Sequence, residues 1–403
     1  MESTPCPADL AMSSLSPTTT ATSLAAAFAH VPDPRRRASI RYPVAAMLAL
    51  AVAAVLSGQR SVLAIAEWGM RQDPALLTTL GFPDGRTPGQ STLHRLFRRL
   101  DADALAATLT TFIAPAAVPT PSSLQGVAID GKTQRGRLAF PTMGCPIHAL
   151  SAVCHTSGLI LAQEPITAAG EKAEAELSVA PTLLKRLDWH DRVLTGDALF
   201  CQRGLCQQVR EANGDYLLLV KANQPALHDA IALLFDPPTD LGALPLLDRR
   251  EATTQERGHG RHNECRTLVA STDLNAYLDW PGVAQVFRLE RTWQARGQRH
   301  RAVQYGITSL TPTQADATQL LALRRGHWTI ENAVHRTKDV TFGEDASLIH
   351  LGHGPTILAL VRDAALNLLR QAEVRQIAAR LRLYAQYPHQ AVALVINPLP
   401  PRA

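Results

Sequence analysis

The chain has 403 residues, 46% of them hydrophobic and 19% charged, with 40 Lys and Arg against 35 Asp and Glu for a formal net charge of +5. Such a composition excludes a disordered or fibrous chain and leaves room for two or three folded units, while the small basic excess fits a polyanionic partner without requiring one. The six cysteines (Cys6, Cys145, Cys154, Cys201, Cys206, Cys265) form no CxxC pair, which argues against a disulfide scaffold or zinc knuckle and fits a reducing cytoplasm.

Residues 1–24 are rich in Ser, Thr, Pro and Ala and predict a mobile tail. The run Val44–Leu56 follows Arg35, Arg36 and Arg37 and imitates a signal-peptide core. It begins too far from Met1, falls short of the roughly 20 residues that span a bilayer, and Gln59–Trp68 continues at helical spacing, so no membrane partner is expected. Four helical segments, VAAMLALAVAAVLSG, SVLAIAEWGMRQ, ALLTTLGF and STLHRLFRRLDADALAATLTTFI, predict a small all-helical domain over 25–115, with Ser91 or Thr92 capping the fourth helix. The proline-rich stretch Ala114–Ser123 reads as a linker.

The texture then changes. VAID, HALSAVCHT and LILAQEPI read as three strands, Glu171–Leu187 as a helix, RVLTGD as a strand, QRGLCQQVREA as a helix and DYLLLVKA as a strand. The order β-β-β-α-β-α-β is that of an RNase H-like core, here over 124–222, and it sets the ends of the first and fourth strands side by side. ECRTLVAST, VAQVFRLERTW and RAVQYGITSL predict a β-rich insertion over 223–312. A helical part of the core follows over 313–385, with Pro355–Leu383 as one amphipathic segment, and 386–403 reads as an extended end.

Three acids stand out. Asp130 and Asp197 each end an apolar strand, and Glu331 lies in a helical segment. Carboxylate oxygens suit hard divalent cations, and two such ions roughly 3.5–4 Å apart can stabilise both oxygens of an in-line phosphoryl displacement. Arg324, Trp328, His335 and Lys338 fall at helical offsets from Glu331 and predict one shared face, with Asp339, Glu344 and Asp345 as rival third ligands. Lys132 and Arg135 beside Asp130, the run Lys221, Asn223, Gln224, and His259 and Arg261 in a glycine-framed loop are the candidate DNA contacts.

Taken together, these blocks resemble the DDE-type insertion-sequence transposases, in the branch of the H-repeat-associated proteins. FAHVPDPRRRASIRYPVAAMLALAVAAVLSG looks like that branch's amino-terminal associated domain, and VAIDGKTQRG, LTGDALFCQ, VKANQP, GHGR, HWTIEN and DVTFGEDAS look like successive catalytic blocks. The resemblance implies Mg²⁺-dependent (or Mn²⁺-dependent) cleavage and strand transfer at the ends of an insertion sequence, with Asp130, Asp197 and Glu331 holding two ions and Lys338 as the basic residue of the Glu-bearing helix. It implies terminal inverted repeats and target DNA as partners, with the helical domain over 25–115 as the DNA-end-binding one, a homodimer or larger synaptic assembly, and a place in the bacterial cytoplasm at the nucleoid. Arg324 and His327 stand where the wider group's signature has Tyr and Arg, so His327 joins the DNA contacts. A structure-specific nuclease and a decayed or domesticated DNA-binding protein remain open on the same scaffold.

Overall fold

The computed structural model describes residues 22–119, 124–134, 147–166, 172–238, 246–258, 261–295 and 297–399. Nine strands form one mixed sheet: β1 (Gln125–Gln134), β2 (Ile147–Cys154), β3 (Ile160–Ile166), β4 (Arg192–Gly196), β5 (Asp215–Val220), β6 (Arg250–Gly258), β7 (Arg261–Ser271), β8 (Gln285–Ala295) and β9 (Gln298–Thr308). Their order is β3-β2-β1-β4-β5-β9-β8-β7-β6. β1 to β3 make an antiparallel meander, while β1, β4 and β5 run parallel. Every residue of β4 and β5 is buried, as expected of parallel strands covered on both faces.

The predicted insertion is not a body of its own. β9 pairs antiparallel with β5 from Leu217↔Thr308 to Val220↔Tyr305, so its four strands extend the sheet formed by β1 to β5. The reason is the open edge: the row of backbone groups along β5 must find a partner, and β9 supplies it. β6 (REATTQERG) escapes sequence reading because polar residues dominate it, as suits an outermost strand. A helix, α9 (Pro225–Phe235), packs on β8 and β9 within this interval.

α7 (Lys172–Lys185) and α8 (Arg203–Glu211) share one apolar cluster with Val127, Ile129, Leu194 and Leu218, whereas α10 (Ala317–Gly326) packs on the opposite face with Val193, Leu217 and Leu219. The alternation follows from the two-residue period of a strand.

The remaining helices build a second core. They are α1 (Leu24–Ala27), α2 (Val44–Leu56), α3 (Val62–Met70), α4 (Pro74–Thr79), α5 (Gln90–Arg99) and α6 (Ala102–Ile113), with α11 (Gly354–Gln371), α12 (Ile377–Gln386) and α13 (Pro388–Ile396). All of α2 except Ala45 is buried. A helix apolar on every side belongs at the centre of a bundle, which is why this run imitates a membrane-targeting segment. α2 packs against α11 and α13, so the amino-terminal helices share their core with the carboxy-terminal ones. No helix among the described residues is long and apolar enough to cross a membrane.

Several boundaries differ from expectation. Leu24 is fully buried and Ser23 caps α1, so the tail ends earlier than residue 24. The fourth predicted segment is two helices, because the Asp101 carboxylate accepts the N–H groups of Asp103 and Ala104 and starts α6 anew, while α5 begins at Gln90 with no side-chain cap. The predicted linker opens with a helical turn at Ala114–Ala117, whose Ala117 carbonyl accepts from Arg192. Pro355–Leu383 breaks after Gln371, where Glu373 takes φ of 54°. The predicted extended end instead carries α13, whose Ala391, Val392 and Val395 are buried.

Candidate active site

Ala128 of β1 lies opposite Thr195 of β4 in a parallel ladder. Two residues further along, Asp130 still lies in β1 and Asp197 stands just past the end of β4 as cap of the following turn, so the register brings both to one rim of the sheet. β1 itself continues to Gln134, so Asp130 does not end its strand; it sits where the β4 partner stops and Ser151 of β2 remains opposite it. This rim, at the carboxyl ends of parallel strands, is where α/β sheets bind ligands.

Glu331 approaches from the segment after α10. Over Ile330–His335 and Thr337–Thr341 the helix widens to i→i+5 bonding, with Arg336 N–H on the Glu331 carbonyl and Phe342 N–H on that of Thr337. Wide turns of this kind recur at functional sites. The widening overturns the predicted common face: Glu331 and Trp328 point outward, whereas Arg324, His335 and Lys338 are buried. His335 Nδ1 lies 3.6 Å from Asp130 Oδ2, and a cleft of about 430 Å³ is lined by Asp130, Lys132, Glu331, His335, Arg336 and Asp339 among others.

The three acids do not form a finished ligand set. Among the described residues no group of three His, Cys, Asp or Glu side chains stands at metal-holding spacing. Local bonds explain it: the Asp197 carboxylate accepts Leu199 N–H at 2.9 Å as cap of the following turn, and Asp130 Oδ1 accepts Gly131 N–H at 2.9 Å. Glu331 is exposed and makes no ion pair among the described residues, which sets it apart from its rivals. Lys132 takes Asp339 at 2.5 Å, with Glu344 and Asp345 each 4.0 Å away, and Glu344 is wholly buried. Burial pushes the Asp339 carboxyl up, and Lys132 pulls it back.

Lys132 and Lys338 are therefore not surface phosphate contacts here. Lys338 is 2% exposed, 2.7 Å from Asp363 of α11 and 3.5 Å from Glu344. Burial alone would lower its pKa, but Asp363 and Glu344 together hold it above the ordinary lysine value. Arg362 joins at 3.8 Å from Glu344 and donates to the Arg60 carbonyl, while the Arg60 side chain donates to the Thr341 carbonyl. A buried string of charges thus ties β1, the Glu331 segment, α11 and the α2–α3 loop together.

His327 is also turned inward. His155 Nε2 lies 2.8 Å from Thr195 Oγ1, which in turn lies 3.3 Å from His327 Nδ1. Burial, aided by Arg324, lowers His155 to about 4 and His327 to about 3, so both are neutral at pH 7. Burial likewise brings Arg324 down to about 10, opposed by the charge of Asp197, and its Nε and Nη1 have no hydrogen-bond partner. Sequence reasoning missed Arg324 as a neighbour of Asp197, since only the helical offset was visible. It also missed Glu176 of α7, buried against Gly131, where a Cβ would meet its Oε1 at 2.0 Å.

Asn223 and Gln224 donate to the carbonyls of Ala198 and Cys201, so they fasten the loop after Asp197 instead of presenting free amides. Lys221 remains exposed just past β5. Arg135 and His259 lie outside the described residues, as does the side chain of Arg261.

Residues 25–113 match the DDE_Tnp_1-associated family and residues 121–368 match the Transposase DDE domain family. Among curated proteins, the chain is 29% identical over 352 residues to the Escherichia coli O157:H7 protein "Putative transposase YncI", covering 85% of this chain and 86% of that one. It is 30% identical to the "Uncharacterized protein in dhlA 3'region" of Xanthobacter autotrophicus, covering 67% and 89%. It is 25% identical to the "H repeat-associated putative transposase YhhI" of Escherichia coli K12, covering 88% and 92%. A solved piggyBac transposase synaptic complex with hairpin DNA, at 11% identity and a TM-score of 0.41 over 89% of this chain and 74% of the other, is too distant to bear on the fold. With the acids at the rim of the parallel strands inside the matched region, the chain belongs to the Transposase DDE domain family, in the branch that holds the H-repeat-associated proteins.

Proposed function

We propose that this chain cuts DNA at the ends of an insertion sequence and joins the freed ends to a target, through divalent ions held by Asp130, Asp197 and Glu331. The observation that carries the reading is the parallel Ala128↔Thr195 register, with Asp130 and Asp197 each two residues beyond that pair. The strand order β3-β2-β1-β4-β5, antiparallel then parallel, supports an RNase H-like core. The donor set fits Mg²⁺ or Mn²⁺, because all three side chains offer hard oxygens. Bound ions would supply Lewis acidity to the attacking and leaving oxygens of a phosphodiester.

The chain's own part is placement. Asp130 and Glu331 line one cleft, and Asp197 stands outside that lining, just past the end of the neighbouring β4. Assembly requires Asp197 to give up its cap on Leu199 N–H, a side-chain rotation within reach of an exposed residue. Lys221, just past β5, is among the described residues the predicted phosphate contact that stands exposed. Element ends and target DNA are the substrates, and a dimer or larger assembly would bring two ends together.

The test is purified chain, a duplex carrying the element's own ends, and Mg²⁺. Asp130→Asn should lose at least about 100-fold in cleavage, since even residues behind a metal ligand cost 10–100-fold, while end binding persists. Pre-cleaved ends separate joining from mere cutting. Wild-type binding with no Mg²⁺-dependent turnover would refute the reading in favour of a decayed DNA-binding protein.

A further inference from the structure

We propose that the solvent face of α5 is a duplex-DNA grip, built to enter the major groove. This rests on the reading that the protein acts on DNA, and adds the surface that holds it.

α5 buries Leu93, Leu96 and Phe97 and turns Ser91, Arg95, Arg98 and Arg99 to solvent. Those four occupy offsets of four, seven and eight residues, one stripe along the helix. No acid lies in the helix, and among the described residues Arg95, Arg98 and Arg99 make no ion pair. The Arg95 side chain reaches only the Ser91 carbonyl and Thr92 Oγ1.

An exposed basic stripe is most often only solvated, so the contrast within this molecule matters. In the β6–β9 strands, Arg299 is the one described arginine side chain that makes no ion pair, and Arg250, Arg266, Arg288, Arg291 and Arg301 pair with carboxylates. Their charge is spent within the fold. The charge of α5 is unspent.

The helix N-terminus adds to it. Gly89 offers no side-chain cap, Gln90 and Ser91 are exposed there, and Arg86 is exposed just ahead. Uncapped amide groups and the positive end of the helix dipole favour phosphate oxygens. A helix of about 10–12 Å diameter matches a major groove about 12 Å wide. The position is also connected to the catalytic side: the Arg98 carbonyl accepts His353 N–H, and α5 packs on α11, which carries Arg362 and Asp363 of the buried charge string.

The experiment is fluorescence anisotropy of the full chain on two duplexes of equal length, one with the element's own terminus and one unrelated, across a KCl series. Two proteins are compared with wild type: Arg95→Ala/Arg98→Ala/Arg99→Ala, and a charge-matched control at the exposed Lys185, Arg375 and Arg382, all to Ala. Each phosphate contact removed should lower the slope of log K against log[salt] by about 1, so the α5 variant should lose about 2–3 in slope and at least about tenfold in affinity near physiological salt. The control should stay within about threefold of wild type. If the α5 variant and the control weaken alike, or neither weakens, the α5 proposal is overturned while the DNA reading stands. If wild type binds neither duplex, the DNA reading falls and takes this proposal with it.

Discussion

Lys338→Met tests the reassignment of a signature lysine from DNA contact to buried counter-charge. The Lys338 ammonium, the Asp363 carboxylate and Glu344 are 3%, 4% and 0% exposed. Deleting one partner of such a pair leaves an uncompensated charge out of water, at a cost of about 3–5 kcal/mol. A surface lysine that touches only DNA would change stability by no more than about 0.5 kcal/mol. The two readings thus differ about tenfold in one measurement. Urea unfolding followed by tryptophan fluorescence gives the free energy, with Lys338→Met/Asp363→Leu as the second arm. Removing both charges should recover most of the loss, because apolar replacement of a buried pair is often near neutral. The reasoning is refuted if Lys338→Met unfolds like wild type yet weakens DNA binding, or if the double variant is worse than the sum of its parts. Since the Lys338 pKa is raised, its contribution is complete below the unfolded lysine value and is lost as pH climbs from there through the higher folded one.

His155 and His327, lowered to about 4 and about 3, are neutral in the fold and titrate near 6.5 when unfolded, so stability is complete above about pH 6.5 and falls as pH drops toward 4. The slope should approach about 3 kcal/mol per pH unit for two protons and halve in His327→Gln, as read by urea unfolding between pH 7 and 5. Gly126→Ala should cost about 1–3 kcal/mol, because its Cβ would stand 2.1 Å from His155 Nδ1; if Gly126→Ala/His155→Ala is not milder, the clash is not the cause. Arg324→Met should cut Mg²⁺-dependent cleavage by about tenfold or more through Asp197 while leaving folding stability unchanged or higher, since donors without partners leave the interior. Unchanged cleavage would remove Arg324 from the site.

Strands β1 to β5 were legible because they are short apolar runs with clean turns, and strand order alone makes β1, which carries Asp130, the neighbour of β4, which leads into Asp197. The β-rich interval was legible as strands, but its fusion to β5 was not, since pairing partners 90 residues apart leave no local mark. The Glu331 segment misled most. A 3.6-residue period places Lys338 beside Glu331, and only the i→i+5 backbone turns one outward and the other into Asp363. Likewise Lys132 looks like a phosphate ligand next to Asp130, yet its partners, the half-buried Asp339 and the buried Glu344, lie more than 200 residues away in the chain.

The seating of α13 and α11 on α2 has a temporal cost. Until Ile396 has been synthesised, the apolar surface of Val44–Leu56 lacks two of its covers. At a translation rate of about 5–20 residues per second, that interval lasts roughly twenty seconds to a minute. A half-made chain therefore carries sticky, uncovered helix on the ribosome, and any truncated product is a substrate for chaperones and proteases before it is a competitor for DNA.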